Sequence, residues 1–143
     1  MRILFVDDER EHVETVAQVI HEALDADVVV ARSVRDAVEA LHAEPCDLLV
    51  MDIFIPMGRD AVDVLGPRAR RYEQDLELLG GLVLLVELQR LEPCPVVLAH
   101  TACVDFELIE LMKEVVSQRV PKPAPVDVLL RAVLEALDLP VPG

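Results

Sequence analysis

Tryptophan is absent from this chain of 143 residues, and aromatic residues make up only 3% of it. The sequence therefore lacks the aromatic surfaces on which single-stranded nucleic acids usually stack. Basic residues are also scarce, because 13 Lys and Arg face 27 Asp and Glu and give a formal net charge of −14. Binding to phosphate backbones requires clustered Lys and Arg, so the composition argues against direct binding to nucleic acid.

Cysteine is infrequent as well, with single residues at Cys46, Cys94 and Cys103 and no Cys-x-x-Cys pair. The four histidines do not have the spacing of metal ligands, which argues against a zinc site. We expect the three cysteines to be buried free thiols in a reducing compartment.

Long hydrophobic runs are missing too. The apolar run at residues 82–86 is far shorter than the roughly 18 residues of a membrane span, which argues against a membrane protein. Residues 1–4 lead directly into a predicted strand, so we expect no secretory signal. Hydrophobic residues nevertheless make up 53% of the chain, which excludes a disordered protein. We expect one cytoplasmic domain over residues 1–139, followed by a short tail at 140–143.

Short aliphatic runs alternate with amphipathic stretches along the chain. Continuous aliphatic runs are typical of strands that are covered on both faces, as in a parallel sheet. We expect strands near residues 3–6, 28–30, 48–51, 96–99 and 118–120. Helical periodicity follows each strand, with stripes that include Val86, Leu111 and Val115, and with Ser33 as an N-cap and Pro125 at a first helical position. The alternation predicts a doubly wound three-layer α/β domain with right-handed crossovers.

Residues 57–80 interrupt this alternation, because Gly66-Pro67 would break a helix there. The segment holds four of the 13 basic residues: Arg59, Arg68, Arg70 and Arg71. Connections of this length are uncommon in a compact domain and are often functional. Two interpretations of this segment stay open. It is either a lid or partner-selecting element, or a solvated loop without a role.

Acidic residues follow two of the predicted strands. Asp7 and Asp8 end the first strand, and Asp52 ends the third. Because ligands of open parallel sheets bind beyond the carboxyl ends of the strands, we expect these aspartates to meet at one edge. They would repel one another strongly unless a cation lay between them, and Mg²⁺ prefers such oxygen ligands. Lys122 and Thr101 would bring an ammonium and a hydroxyl group to the same edge, which suits phosphoryl transfer to a carboxylate.

Four short motifs now identify a resemblance to the receiver domains of two-component response regulators. They are Val6-Asp7-Asp8-Glu9, Met51-Asp52-Ile53-Phe54-Ile55-Pro56, Thr101-Ala102 and Lys122-Pro123, each at the end of a predicted strand. The resemblance covers nearly the whole chain except the 57–80 segment. It implies a flavodoxin-like sheet of five parallel strands in the order 2-1-3-4-5.

The resemblance also implies a role for each matching residue. Asp52 would be the phospho-acceptor, and the metal, Mg²⁺ or Mn²⁺, would be bound by Asp52, Asp8, the backbone carbonyl of Phe54 and, through water, Asp7. The phosphoryl group would be bound by Thr101 and Lys122. The bond between Lys122 and Pro123 would be cis, as in the family.

Three features depart from the family pattern. Gly81, the glycine expected to open helix three, follows Asp52 by 29 positions, so the 57–80 segment is interpreted as an insertion. Arg119 occupies the position where the family usually has an aromatic switch residue. Counting back from Lys122 by the usual spacing reaches His100, whereas the Thr-Ala pattern selects Thr101, the assignment that we favour. His100 would bring an imidazole to the phosphoryl group instead.

The resulting hypothesis is a phospho-accepting switch, a phosphoprotein of a two-component system or phosphorelay. It is not a turnover enzyme beyond its own phosphorylation and dephosphorylation. Its partners would be a histidine kinase or phosphotransfer protein, a downstream protein target and, as is common in the family, a second copy in a homodimer. One alternative is a degenerate receiver that acts as an unphosphorylated scaffold. A phosphatase of the haloacid dehalogenase type is a remote alternative, because the second carboxylate after strand one has the wrong offset.

Overall fold

The computed structural model describes residues 1–59, 65–66 and 80–140, with only the backbone of Arg10. Five strands alternate with five helices in these ranges. In chain order they are β1 (Arg2–Val6), α1 (Arg10–Leu24), β2 (Asp27–Ala31), α2 (Val34–Ala43), β3 (Leu48–Met51), α3 (Gly80–Leu88), β4 (Val96–Thr101), α4 (Phe106–Met112), β5 (Gln118–Pro121) and α5 (Val126–Ala136). Most of the predicted 57–80 insertion lies outside the described residues.

All strand pairs are parallel, and the sheet has the order β2-β1-β3-β4-β5. The predicted doubly wound, flavodoxin-like fold is therefore confirmed. Among the described residues, none of the helices has the length and apolar character that crossing a bilayer requires.

Successive side chains of each strand enter different cores, because strand residues alternate between the two faces of the sheet. The first core, shared with α2 and α3, contains strand residues Leu4, Val6, Leu49, Met51, Val97 and Ala99. The second core, shared with α1 and α5, contains strand residues Ile3, Phe5, Leu48, Val50, Leu98 and Val120. Burying each of these larger side chains stabilises the fold by about 1.5–3 kcal/mol, which explains the continuous aliphatic runs.

The loop after β3 is bound to the first turns of two helices. The Val34 and Arg35 amides of α2 donate to the Pro56 and Met57 carbonyls, at 3.0 and 2.9 Å. As predicted, Ser33 caps α2 by accepting a hydrogen bond from the amide of Asp36 at 3.2 Å. The start of α3 is bound in the same way, since its first two amides donate to carbonyls of residues 55 and 53.

Gly81 lies in the first turn of α3, which begins one residue earlier than the sequence predicts, at Gly80. A Cβ atom on Gly81 would lie 2.4 Å from the Cα of Ile53 and 2.7 Å from the carbonyl oxygen of Asp52. Only glycine allows α3 to approach the backbone beside Asp52 this closely.

Several details of the sequence prediction are wrong. Leu111 is 64% exposed, and Val115 follows the end of α4, because the chain turns tightly after Met112. Val86 of α3 is 43% exposed. Pro125 has an extended backbone and precedes α5 as its N-cap.

The prediction of three buried thiols is also wrong. All three cysteines are free, but only Cys103 is buried, while Cys94 is exposed and Cys46 is intermediate. Cys94 lies in the short connection between α3 and β4, where little of the chain covers it.

Candidate functional site

The candidate site lies at the carboxyl edge of the sheet, where β1, β3 and β4 end side by side. Met51 of β3 is aligned with Val6 of β1 and Ala99 of β4, and all three side chains enter the first core. The residues that follow these three in the chain are Asp7, Asp52 and His100. Since strand side chains alternate, these three form one row on the opposite face, beside α1 and α5.

Lys122 follows β5 and brings its ammonium group to this row. Its Nζ donates to Asp7 Oδ2 at 2.7 Å and to Asp52 Oδ2 at 3.0 Å, and it lies 3.6 Å from Glu9 Oε1. The side chains of Lys122, Asp7 and Asp52 are only 9%, 6% and 5% exposed. The structure thus brings together three residues that the sequence predicted to meet. The bond between Lys122 and Pro123 is cis, as the resemblance implied.

The pKa of Lys122 reflects two opposing effects. Burial alone would lower it, but the hydrogen bonds to Asp7 and Asp52 and the charges of these carboxylates raise it above its ordinary value. The ammonium is therefore charged at neutral pH and offsets part of the repulsion between the two carboxylates.

The second oxygen of each carboxylate is held by the backbone. Asp7 Oδ1 accepts the Glu9 amide at 2.9 Å, and Asp52 Oδ1 accepts the Phe54 amide at 3.2 Å. These bonds fix the orientation of both side chains, and the second bond places Phe54, the predicted carbonyl ligand, directly beside Asp52.

Carboxylate oxygens of Asp7, Glu9 and Asp52 all lie within 4.8 Å of one another. This set suits Mg²⁺, which takes one or two carboxylates directly and keeps several waters. Asp8 is exposed, and its pKa is raised by partial burial and then by the charges of Asp7, Asp52 and Glu9. Its carboxylate is not among the three whose oxygens lie within 4.8 Å of one another, and its predicted role as a direct ligand stays a prediction.

Glu9 belongs to this group, but the sequence analysis did not assign it a role. Glu9 is the N-cap residue of α1, yet its side chain makes no capping hydrogen bond to the helix. Its carboxylate lies instead 3.6 Å from the Lys122 ammonium. The signal available in the sequence was the run of three consecutive acids at the end of the first strand.

Thr101 and His100 have different surroundings at the end of β4. The Thr101 side chain is fully buried, and its Oγ1 accepts the Cys103 amide at 3.2 Å. The buried His100 ring borders a small cavity together with Asp7 and His12. The predicted role of Thr101 in binding the phosphoryl group stays a prediction.

His100 makes two contacts through its ring nitrogens. Its Nδ1 lies 2.9 Å from the Val120 carbonyl oxygen, and its Nε2 lies 3.4 Å from Nε2 of His12. Its pKa is lowered by burial and by the charges of Lys122 and His12, so the ring is neutral at pH 7. His12 carries no signal in the sequence, because nothing in a single sequence indicates which residue of β4 it contacts.

Arg119 lies exposed on β5 and borders a cavity of about 160 Å³ between this strand and α4. Its walls include Ala99, Ile109 and Met112. An aromatic ring would fill such an apolar space, whereas a guanidinium group favours solvent.

Comparison with known proteins places this geometry in a fold family. No protein family model and no curated protein matches the sequence. Among solved structures, the non-phosphorylated HemR receiver domain of Leptospira biflexa is 20% identical with a TM-score of 0.75, covering 99% of this chain and 98% of that one. The Francisella response regulator 1452 receiver domain is 20% identical with a TM-score of 0.70 and 96% of each chain covered.

A third similar structure is the CheY-like response regulator receiver domain protein of Methanospirillum hungatei JF-1. It is 22% identical with a TM-score of 0.72, covering 96% of this chain and 93% of that one. The fold of the chain is therefore that of response regulator receiver domains.

Proposed function

We propose that this chain is a phospho-accepting receiver domain of a two-component system, with Asp52 as the acceptor. The observation that most supports this proposal is the buried contact of the Lys122 ammonium with the carboxylates of Asp7 and Asp52. A purely structural ion pair needs one carboxylate, whereas this edge carries several. The surplus of negative charge suits a site that binds a divalent cation, and this cation together with Lys122 would then attract a phosphoryl group.

The transfer step is a displacement at phosphorus. A carboxylate oxygen of Asp52 forms the new P–O bond as the P–N bond of a phosphohistidine donor breaks. The electron pair of that bond leaves with the imidazole, which then takes a proton from solvent. Lys122, 3.0 Å from Asp52 Oδ2, stabilises the negative charge on the transferring group, because it is held in place before the reaction begins.

The oxygen ligands available for Mg²⁺ are Asp7, Glu9, Asp52 and, as carried over from the family, Asp8 and the Phe54 carbonyl. A bound divalent ion would supply charge neutralisation at the phosphoryl oxygens. Asp7 and Glu9 would hold it beside the acceptor, and the backbone bond to Asp52 Oδ1 would keep the carboxylate pointed towards the donor.

Phosphorylation would replace a single negative charge on Asp52 with nearly two. Lys122 would then exchange its contact with Asp7 for the phosphoryl group, which changes the end of β5 and can shift an equilibrium between two surfaces. We propose a changed binding face at α4, β5 and α5, a histidine kinase or phosphotransfer protein as donor, a protein target, and a cytoplasmic location. The domain would extend over residues 1–139, with 57–80 as an insertion.

The test is incubation with Mg²⁺ and acetyl phosphate, followed by intact-mass measurement. We expect a gain of one phosphoryl group that is lost in Asp52→Asn and without Mg²⁺. Asp27→Asn is the matched control, because Asp27 is exposed at the other end of the sheet, and it should be phosphorylated like the parent protein.

A degenerate receiver that acts as a scaffold is the second candidate. It is favoured by Arg119, which is exposed where the family usually has an aromatic switch residue. Absence of any mass gain in the parent protein, with Mg²⁺ shown to bind, would support this candidate over the phospho-acceptor.

A further inference from the structure

His100 is the residue of β4 that shares a row with the two central aspartates. Met51 is aligned with Ala99, so the residues that follow them, Asp52 and His100, are neighbours on the same face of the sheet. His100 also borders the same small cavity as Asp7. A group attached to Asp52 would therefore extend from the face on which the imidazole lies.

Thr101 belongs to the next row, so its side chain leaves β4 on the opposite face. Its hydroxyl oxygen already accepts a hydrogen bond from the Cys103 amide, at 3.2 Å. This bond stabilises the turn after β4 but uses only the acceptor oxygen of the hydroxyl, so it is the opposite face of β4 that separates Thr101 from a group on Asp52.

The hydrogen bonds of His100 determine which ring nitrogen carries its proton. The Val120 carbonyl only accepts hydrogen bonds, so Nδ1 of His100, 2.9 Å away, is the protonated nitrogen. Nε2 of the neutral ring then accepts, and Nε2 of His12, at 3.4 Å, is the donor. The ring centres are 5.7 Å apart, which is the separation of two rings that meet nitrogen to nitrogen.

In this arrangement the single N–H of His100 donates to the Val120 carbonyl and is not available to a group on Asp52. To present that N–H to a new acceptor, the ring has to turn, which breaks the bond to Val120 and the bond from His12. His12 lies on α1, so the bond between the two histidines connects a helix to the end of β4 and opposes this turn.

Resting on the proposed function, we propose that His100, and not Thr101, is the β4 residue that donates a hydrogen bond to a phosphoryl group on Asp52, and that His12 restrains it beforehand. The inference gives the switch an imidazole in place of a hydroxyl. It also gives α1 a direct connection to the phosphorylation site.

The test compares variants by their affinity for beryllofluoride, a mimic of the phosphoryl group, in the presence of Mg²⁺. His100→Ala should lower the affinity about tenfold, since it removes a hydrogen bond to a charged group. His12→Ala should raise the affinity severalfold, because it removes the restraint and leaves the donor. A pair that only stabilises the fold would shift both variants in the same direction.

His42→Gln is the matched control, since His42 is exposed on α2, and its affinity should equal that of the parent. Nitrogen-15 spectra of the histidine rings give a second readout, in which beryllofluoride should shift the Nδ1–H signal of His100. Loss of affinity in Thr101→Val, with none in His100→Ala, would overturn the inference. Failure of the parent to gain a phosphoryl group would instead contradict the proposed function itself.

Discussion

Ion pairs at the two ends of the sheet use the same kinds of residue in different surroundings. At the amino end, Arg2 pairs through its guanidinium with Glu44, and its amide donates to Asp47 Oδ2 at 2.8 Å. The Glu44 side chain there is 65% exposed. At the carboxyl end, Lys122 and its two aspartate partners are almost fully buried.

The two ends also differ in charge balance. At the carboxyl end three acids, Asp7, Glu9 and Asp52, contact one lysine, so the side chains sum to −3 + 1 = −2. At the amino end two acids face one arginine, which gives −2 + 1 = −1. The ion pair at the amino end has a mostly exposed carboxylate, Glu44, whereas at the carboxyl end two buried aspartates share one buried lysine. Burial and surplus charge together distinguish a candidate binding site from an ion pair that only stabilises the fold.

The largest effect is expected when the Lys122 ammonium is removed from the carboxyl end of the sheet. Lys122→Ala should lower the free energy of unfolding by about 3 kcal/mol, because it leaves Asp7 and Asp52 buried without their partner. Urea denaturation in the absence of divalent ions measures this loss. Mg²⁺ should restore part of it, since a bound ion replaces the missing positive charge.

Lys113→Ala is the control, because Lys113 pairs with Glu110 at an exposed position on the surface. It should change the free energy of unfolding by no more than about 0.5 kcal/mol. Equal losses in the two lysine variants would remove the distinction between the ends of the sheet.

Magnesium should stabilise the protein through the carboxyl end alone. At a concentration ten times the dissociation constant, a ligand that binds only the folded state adds about 1.4 kcal/mol. Thermal unfolding with and without Mg²⁺ measures this gain. Asp52→Asn should lose most of it, while Asp47→Asn at the amino end should keep it, and a gain retained in Asp52→Asn would place the ion elsewhere.

Alkaline pH should weaken the carboxyl end. The pKa of Lys122 is raised in the folded protein, so its contribution to stability is fully present below the unfolded value of about 10.4. The contribution is lost as pH rises through the higher folded value. The difference in urea midpoint between the parent and Lys122→Met should therefore shrink as pH rises above 10, and a constant difference would contradict the ion-pair assignment.

Substitution of Asp8 is expected to have a smaller effect, and to raise the free energy of unfolding instead of lowering it. Because its pKa is raised by partial burial and by neighbouring carboxylates, its charged form destabilises the fold at neutral pH, and protonation on lowering the pH relieves this. Asp8→Asn should therefore raise the free energy of unfolding by less than about 1 kcal/mol, since the group is exposed and screened. The gain should shrink at high salt, and a loss of stability in low salt would show that Asp8 makes a favourable contact.

Most of the fold could be predicted because the aliphatic runs and the helical stripes have distinct periods. The meeting of Asp7, Asp52 and Lys122 followed from strand ends in a parallel sheet. The sequence could not indicate whether His100 or Thr101 faces these acids, because that depends on the register between β3 and β4. Pairing of Met51 with Ala99 supplies that register.

Surface exposure was the other weak point of the prediction. Leu111 fits a helical stripe, yet α4 ends at Met112 and leaves Leu111 exposed. Cysteine is usually a buried residue type, but Cys94 is exposed because it lies in the short connection between α3 and β4. Local periodicity does not reveal how far a neighbouring element extends over a residue, so such positions are decided by tertiary packing.

The smallest effect is expected at the amino end of the sheet. Glu44→Gln removes the carboxylate that pairs with Arg2, but Glu44 is mostly exposed, so water replaces the lost contact and the free energy of unfolding should change by less than about 0.5 kcal/mol. The backbone bond from Arg2 to Asp47 remains and keeps β1 attached to the start of β3. Urea denaturation should give a small difference at low salt that shrinks at high salt, because salt screens an exposed ion pair. A loss as large as that of Lys122→Ala would mean that the difference in burial between the two ends of the sheet does not determine how strongly their ion pairs stabilise the fold.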